Sequence, residues 1–246
     1  MSRCVEVLLG PPWSADAVRG AHAVVVDVLR ATTTIAAALA NGAAGVIAVA
    51  EPEDAIALGN RLGRERVLFC GERNAVRIEG FDLDNSPASF TPQAVDGKTL
   101  VMTTTNGTRA LRAVATAASV RTAALVNRLA VADALAHEDG DVTIVCAGDG
   151  NGFALEDALG AGALVDALLA QIADVELRDG ARAAALLYRS VASRLPDAVA
   201  SADHAQSLAQ KGFAADVALC AALDTLNVVP LLRDGILVAT PAASPA

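Results

Sequence analysis

Short apolar runs rich in β-branched residues alternate with helix-compatible segments through most of the chain, and no other feature limits the fold as strongly. Strands separated by segments of helical length build βαβ units, because a parallel strand pair needs a long crossover. The pattern therefore predicts an α/β fold with a largely parallel sheet. The predicted strands are VEVLL (5–9), AVVVDVL (23–29), GVIAV (45–49), RVLFC (66–70), TLVMTT (99–104), TAALV (122–126) and VTIVCA (142–147).

The pattern changes from residue 155 onward. Helix-compatible segments follow one another there without a strand between them, at 155–172, 181–194, 202–210 and 214–224. VVPLL and ILVAT, on either side of Arg233-Asp234-Gly235, then predict a closing β-hairpin. Pro230 places the first hairpin strand at a sheet edge, because proline cannot donate a ladder hydrogen bond. We expect one α/β domain over 1–240, or two closely packed lobes with a boundary near 150, followed by a flexible tail at 241–246.

The composition limits the partners that this chain can bind. Its 246 residues are 54% hydrophobic and carry a formal net charge of −9. A net charge this negative argues against the general positive surface that nucleic acids and anionic membranes require. The segment MSRCVEVLLGPPW has no long apolar signal-peptide region, and no apolar stretch runs for about 18 residues without a charge. We therefore expect a cytoplasmic protein with neither a nucleic-acid nor a membrane partner.

The run VVVDVLRATTTIAAAL (24–39) holds one acid, one arginine and three consecutive threonines in an otherwise apolar segment. Two interpretations fit these residues. In the first, Arg30 is the ion-pair partner of Asp27, and a threonine caps the next helix. In the second, Asp27 is a metal ligand or a nucleophile, and Arg30 binds a substrate anion together with a threonine hydroxyl. The segment lies at a strand end, which is where ligands bind in open α/β sheets.

Polar residues also gather after the fourth and fifth predicted strands. The loop CGERNAVRIEGFDLDNSPASF (70–90) carries Glu72, Asp82 and Asp84, whose oxygens suit magnesium, although such a loop is also ordinary turn chemistry. TLVMTTTNGTRAL (99–111) repeats the first arrangement, because a strand runs into threonines, an Asn106-Gly107 turn and a helix. Two threonine-rich strand-to-helix junctions in one chain favour a phosphate-binding site.

The junction TIVCAGDGNGFALEDALGAG (143–162) is glycine-rich but lacks a nucleotide-binding fingerprint. Phe153 stands where G-x-G-x-x-G requires glycine, and G-x-x-x-x-G-K-[ST] does not occur. Glu156 and Asp157 are expected to balance the dipole of the following helix or to contribute to an acidic site.

Other hydrolase signatures are absent as well. A haloacid-dehalogenase-type phosphatase needs a second aspartate where this chain has Leu29, and a cysteine phosphatase needs an arginine where it has Val76. G-x-S-x-G is also missing. We interpret the three histidines as surface or helix-packing residues: His22, His137 and His204.

Four segments follow one another in this chain: DVLRATTT, GERN…GFDLDNSP, TTTNGTRAL and CAG…F-x-LED. In their order and spacing they resemble the 2-phosphosulfolactate phosphatases of the coenzyme M pathway. The resemblance continues through Ser201, His204, Leu208, Gly212, Asp216-Val217 and Val229-Pro230. It implies a three-layer α/β/α fold and a Mg²⁺-dependent phosphatase that converts (2R)-2-phospho-3-sulfolactate to 3-sulfolactate and phosphate. A small anionic phospho-acid is the expected partner, and a homodimer is a further expectation.

The resemblance also implies a role for individual residues. The implied catalytic residues are Asp27, Arg30 and Glu72, and the implied metal ligands are Asp27 and Glu72, followed by Asp82 and Asp157. The implied substrate-binding residues are Thr32, Thr33, Asn85, Ser86, Thr105, Asn106 and Thr108. Two routes stay open, since either a water attacks the phosphorus in line or Asp27 attacks it directly.

This chain departs from the family pattern at two loop positions. The family has glycine before the Asn-Ser-Pro and another soon after Glu-Arg, whereas this chain has Asp84 and Ala75. If those glycines need positive φ, the replacements bend the loop differently. Two alternative functions also stay open, namely a phosphatase of the same scaffold that acts on another small phospho-acid, and a non-catalytic organophosphate-binding protein.

Overall fold

The apolar runs of the sequence form the strands of one mixed sheet. The structure is a computed structural model that describes residues 2–240, so the expected tail at 241–246 lies outside the described residues. Its strands are β1 (Arg3–Leu8), β2 (His22–Val26), β3 (Gly45–Ala48), β4 (Val67–Arg73), β5 (Val76–Arg77), β6 (Thr99–Thr103), β7 (Ser119–Ala123), β8 (Val142–Cys146), β9 (Val175–Leu177), β10 (Val229–Arg233) and β11 (Ile236–Thr240). Its helices are α1 (Ala15–Val18), α2 (Ala31–Ala40), α3 (Pro52–Leu62), α4 (Pro92–Val95), α5 (Gly107–Ala113), α6 (Arg128–Ala136), α7 (Leu155–Gln171), α8 (Asp179–Val191), α9 (Leu195–Ala200), α10 (Asp203–Gln210) and α11 (Ala214–Cys220).

The C-terminal hairpin joins two parallel halves of the sheet. The strand order is β5-β4-β6-β3-β11-β10-β7-β2-β8-β1-β9. On one side of the hairpin β4, β6 and β3 are parallel, and on the other side β7, β2, β8, β1 and β9 are parallel. β11 pairs antiparallel with β3, and β10 pairs antiparallel with β7. The predicted hairpin is therefore present, and it lies in the middle of the sheet.

The prediction that Pro230 marks an edge strand was wrong. Pro230 is buried in β10, which lies between β11 and β7. The ladder between β10 and β7 contains one residue pair, Leu231 with Arg121. Proline is tolerated in this interior strand because no ladder pair on the β7 side involves it.

Alternate residues of β2 face two separate cores. Val24 and Val26 pack with side chains of α6, α7 and α8. Ala23 and Val25 pack with side chains of α2 and α5. Successive side chains of a strand point to opposite faces, so helices cover both faces of the sheet. The three-layer α/β/α fold with a mixed sheet is confirmed.

The part of the chain after residue 155 is largely helical, as predicted, with two differences. The short strand β9 lies between α7 and α8, where no strand was expected. The helix α9 lies between α8 and α10, where no helix was expected. The helices α7 and α8 approach closely at Gly162. A Cβ atom added to this glycine would lie only 2.1 Å from the carbonyl oxygen of Ala184. Only small side chains fit at such a contact, which agrees with the many alanines and glycines in both helices.

The strand bounds determine where the polar junctions lie. β2 ends at Val26, so Asp27 is the first residue after the strand. β7 lies three residues before the predicted run, because residues 125–127 form a 3₁₀ turn. Strands from before and after residue 150 share one sheet, as a single domain requires, and the domain organisation itself stays a prediction.

None of the helices within residues 2–240 has both the length and the apolarity needed to span a bilayer.

Candidate active site

One cavity of about 240 Å³ gathers residues at the carboxyl ends of β2, β4, β6 and β8, together with residues of α10 and of the turn that follows it. The carboxyl ends of parallel strands are the usual ligand sites of α/β sheets. Six predicted site residues line this cavity: Asp27, Arg30, Glu72, Asn85, Thr105 and Asn106. The sequence therefore located the main part of this site.

Asp27 is buried at the start of the turn between β2 and α2. Its Oδ1 accepts a hydrogen bond from the backbone N–H of Ala31 at 3.1 Å, whereas its Oδ2 accepts none from any described residue. Burial raises the pKa of Asp27 to about 6, and the charge of Glu72 adds to the rise. A carboxylate oxygen without a protein donor is free to bind a cation or to attack an electrophile.

Glu72 links the loop after β4 to the loop after β6. Its Oε1 accepts hydrogen bonds from the backbone N–H and from the hydroxyl of Thr105, both at 3.1 Å. Its Oε2 accepts a hydrogen bond from the backbone N–H of Ala75 at 2.8 Å. Three donors thus hold this carboxylate in one orientation in the cavity that also contains Asp27.

Arg30 is buried and forms an ion pair with Asp216 of α11. One guanidinium nitrogen, Nη1, lies 2.6 Å from Asp216 Oδ2, and the guanidinium carbon lies 4.3 Å from the centre of the Phe213 ring. The interpretation that pairs Arg30 with Asp27 is therefore wrong. Its other two nitrogens make no hydrogen bond within the described chain, so they are available to an anion in the cavity.

Thr32 and Thr33 stabilise the turn that follows β2, and Thr34 links α2 to the loop that contains Asn85. The hydroxyls of Thr32, Thr33 and Thr34 donate to the backbone carbonyls of Asp27, Val28 and Asn85, respectively. None of the three lines the cavity. The structure therefore does not bring Thr32 and Thr33 to the site, although both were predicted to bind substrate.

Asn85 offers the cavity a polar group without a partner. Its Oδ1 is buried and accepts no hydrogen bond from a described residue. A buried amide oxygen without a donor costs about 1–3 kcal/mol, so such atoms usually face a ligand or an ordered water. Ser86 does not line the cavity; its hydroxyl donates to Asp216 at 2.8 Å and so supports the partner of Arg30.

Two of the predicted metal ligands lie outside this cavity, and each has partners in the protein. Asp82 accepts two hydrogen bonds from Arg64, at 2.7 and 2.8 Å, and one from the backbone N–H of Phe69 at 2.7 Å. Asp157 accepts backbone hydrogen bonds from Val28 and Gly148, at 2.8 and 2.9 Å. Asp157 therefore joins the segments that follow β2 and β8, and burial raises its pKa well above the usual value.

Thr108 also lies outside the cavity that contains Asp27. Its hydroxyl donates to the backbone carbonyl of Thr104 at 2.8 Å, and its side chain lines a neighbouring cavity. Its role in substrate binding stays a prediction.

Sequence reasoning missed six polar residues of the cavity: Asn74, Thr104, Asp149, His204, Ser207 and Lys211. His204 Nδ1 lies 3.9 Å from Asp149 Oδ2, and burial lowers the pKa of His204. His204 thus lines the cavity, a position that its interpretation as a surface or helix-packing residue did not anticipate. The family-like spacing around His204 was the signal that could have identified it.

The departures from the family pattern differ in their effect on the backbone. Asn74 and Ala75 have φ of +55° and +67°, in the left-handed region. Asparagine tolerates this region, whereas the Cβ of alanine makes it unfavourable. Asp84 is not among the described residues with positive φ, and it accepts a hydrogen bond from the backbone N–H of Ser86 at 2.9 Å. Only Ala75 therefore occupies a position that favours glycine.

Substitution of Ala75 by glycine is expected to raise the free energy of unfolding by about 0.5–1 kcal/mol. The steric strain of the alanine Cβ that is relieved at positive φ exceeds the extra backbone entropy that glycine loses on folding. Urea denaturation measures the change. The matched control is Ala134→Gly in α6, where glycine in a helix is expected to lower stability by about 1 kcal/mol. A loss of stability in both variants would contradict the strain at Ala75.

Comparison with known proteins agrees with this geometry. A family model described as 2-phosphosulpholactate phosphatase matches residues 13–235. A protein named "Probable 2-phosphosulfolactate phosphatase" from Caldanaerobacter subterraneus subsp. tengcongensis is 42% identical over 215 residues, which cover 87% of this chain and 89% of that protein. Proteins of the same name from Symbiobacterium thermophilum and Thermotoga petrophila are 42% and 40% identical, over 92% and 95% of this chain and 96% and 97% of their own lengths. The chain therefore belongs to the 2-phosphosulpholactate phosphatase family.

Proposed function

We propose that the protein is a phosphoric monoester hydrolase that cleaves (2R)-2-phospho-3-sulfolactate to 3-sulfolactate and phosphate. The observation that carries this proposal is the family match over residues 13–235, a range that includes every residue of the cavity. The proposal also assigns the reaction to coenzyme M biosynthesis, as the resemblance implies, and it keeps the expected cytoplasmic location and homodimer.

Two cationic side chains of the cavity suit the anionic groups of a small polyanionic substrate. The proposed substrate carries a phosphate, a sulfonate and a carboxylate, which a chain of net charge −9 would repel without local compensation. Arg30 and Lys211 bring two positive charges to the cavity, which also contains the carboxylates of Asp27, Glu72 and Asp149. The two cationic side chains would bind the anionic ends of the substrate, and a divalent cation at the carboxylates would offset their negative charge.

Mg²⁺ is part of the proposal, and the residues of the cavity fit it. Asp27 and Glu72 line the same cavity, and Asp27 keeps one oxygen free of protein donors. Within residues 2–240, no three or more His, Cys, Asp or Glu side chains are arranged to hold a metal ion. The two carboxylates of Asp27 and Glu72 suit the usual mode of Mg²⁺ binding, in which one or two carboxylates act together with substrate phosphate oxygens. When bound, the ion would supply neutralisation of the phosphoryl charge.

The protein's own residues would orient the phosphoryl group. The guanidinium of Arg30 is held in place by Asp216 and Phe213 before substrate binds, so it would stabilise developing charge without reorganisation. Asp27 has two candidate roles, because its free Oδ2 would either hold the ion or attack the phosphorus. Borohydride added during turnover would reduce an aspartyl-phosphate at Asp27 to homoserine, which mass spectrometry detects; an unmodified Asp27 would assign the attack to water.

The metal-free protein is expected to be less stable at pH 8 than at pH 5. Burial raises the pKa of Asp27 to about 6 and that of Glu156 to about 7. The folded state therefore binds more protons than the unfolded state between about pH 4 and 7, so stability falls as the pH rises through this range. Burial lowers the pKa of His204, which acts in the opposite direction, but one histidine opposes several buried carboxyls.

Thermal unfolding in EDTA and in MgCl₂, at pH 5 and pH 8, measures this effect. Mg²⁺ competes with protons for Asp27, so we expect it to raise Tm more at pH 8 than at pH 5. Asp27→Asn is the control and should respond little to the ion at either pH. An equal shift in the wild type and in this variant would place the ion elsewhere, and a full rate of turnover in EDTA would remove Mg²⁺ from the proposal.

A substrate panel tests the proposed activity. The purified protein is assayed with Mg²⁺ against phosphosulfolactate, phospholactate, phosphoglycolate and an aryl phosphate, with phosphate release as the readout. We expect phosphosulfolactate to have the highest kcat/KM. A preference for a non-sulfonated acid would change the substrate but keep the reaction, whereas turnover of none would favour a binding protein.

A further inference from the structure

A second cavity of about 240 Å³ adjoins the one that contains Asp27. The two cavities share Thr104 and Thr105, and the second one extends away from them towards the start of α3 and the outer side of α5. Its charged residues are Glu51, Arg73, Arg109 and Arg112. None of these four lines the first cavity, so the second is a distinct place on the protein.

The charge of this second cavity opposes that of the whole chain. Three arginines face one carboxylate, so two positive charges are left without compensation in a protein of net charge −9. The carboxylate is that of Glu51, whose Oε2 lies 3.6 Å from Arg73 Nη2. Clustered like charges repel one another, and an anion removes that repulsion.

Two of the arginines are held in fixed positions, and the third is uncommitted. Arg73 donates to the carbonyls of Glu72 and Ala50 and to the hydroxyl of Thr103, at 2.9–3.1 Å. Arg109 donates to the carbonyl of Gly150 at 3.0 Å and to Asn151 Oδ1 at 3.1 Å. Arg112 is exposed, and its side chain makes no hydrogen bond or ion pair with the part of the chain that the structure describes.

We propose that this second cavity is a separate binding site for a doubly charged inorganic oxyanion, such as sulfate or phosphate, held by Arg73, Arg109 and Arg112. Planar guanidinium groups match the geometry of oxyanions and bind them through paired N–H donors. The size of the cavity, its two fixed arginines and the free one suit a small tetrahedral anion.

The site is connected to the catalytic cavity through one short segment. Thr105 lines both cavities, and its backbone N–H and hydroxyl both donate to Glu72 Oε1. Arg73 follows Glu72 directly in β4 and donates to its carbonyl. An anion in the second cavity would therefore contact Thr105, which is bonded to Glu72, and Arg73, which follows Glu72 in the sequence.

Isothermal titration calorimetry with sodium sulfate, at constant ionic strength, tests the site without requiring turnover. Arg112→Gln is expected to weaken sulfate binding about tenfold, because it removes one charged donor and breaks no hydrogen bond or ion pair with another described residue. Glu51→Gln is expected to strengthen binding about two- to threefold, because it removes the competing carboxylate, and the Glu51 side chain makes no cap hydrogen bond with α3 that would be lost. Arg61→Gln, an exposed arginine at the other end of α3, is the matched control and should bind sulfate as the wild type does.

Two results would overturn the proposal. One is equal sulfate affinity in Arg112→Gln, Arg61→Gln and the wild type. The other is a tenfold rise in the KM for phosphosulfolactate in Arg112→Gln, measured without sulfate, since the arginine would then bind the substrate and the site would not be separate. An unchanged KM together with weakened sulfate binding supports it.

Discussion

Replacement of Asp27 by asparagine is expected to lower kcat by about 10³-fold or more, because a neutral amide neither holds a divalent ion nor attacks phosphorus. The same change is expected to stabilise the folded protein in EDTA at pH 8. The buried carboxylate, with its pKa of about 6, is charged at that pH, and removal of the charge relieves a cost on the order of 1–3 kcal/mol. The asparagine Oδ1 still accepts the hydrogen bond from Ala31, so the turn is preserved. Phosphate release and urea denaturation measure the two effects.

The opposite directions of these effects make the prediction specific. A variant that loses activity because it unfolds would show a lower kcat and a lower free energy of unfolding together. Asp133→Asn on α6 is the matched control, since its carboxylate makes no hydrogen bond with a described residue, and it should change neither quantity. Wild-type turnover in Asp27→Asn would show that Asp27 is neither an essential ligand nor a nucleophile.

Removal of Arg30 is expected to reduce both stability and activity. Arg30→Leu leaves Asp216 buried without its ion-pair partner, a change that typically costs about 3–5 kcal/mol. It also removes the guanidinium that faces the cavity, so kcat/KM is expected to fall by about 10²–10³-fold. Urea denaturation and steady-state kinetics measure these losses.

The double variant Arg30→Leu/Asp216→Asn separates the two roles of Arg30. It removes the uncompensated carboxylate, so most of the lost stability should return, and Ser86 still has an oxygen to which it can donate. The activity should not return, because the guanidinium is still missing. If the double variant recovers turnover, Arg30 acts only through the fold. If the wild type, the two single variants Arg30→Leu and Asp216→Asn and the double variant are equally stable, the buried ion pair contributes nothing to stability.

The parallel part of the fold could be predicted because each strand is a short β-branched run with its own local signal. The position of the hairpin could not, because strand order depends on pairing between distant segments. Leu231 pairs with Arg121 and Leu237 with Val46, and nothing near Pro230 encodes either contact. The element β9 has three residues, too few for periodicity to be seen.

The candidate site divides in the same way. Asp27 and Arg30 lie in the segment after β2, and Glu72 lies near the end of β4, so their position in the sequence predicts a place at the carboxyl edge of the sheet. His204 comes from α10, whose position over the cavity depends on the packing of the C-terminal helices. Asp82 resembles a metal ligand in sequence, and only its contact with Arg64 in space reveals another partner.

The central position of the hairpin also bears on synthesis of the protein. A ribosome completes both parallel halves of the sheet before it reaches residues 229–240. Until then the facing sides of β3 and β7 are open edges, and open edges pair readily with strands of other chains. The last hairpin closes both edges at once, so a nascent chain that stops short of it would carry two surfaces prone to aggregation.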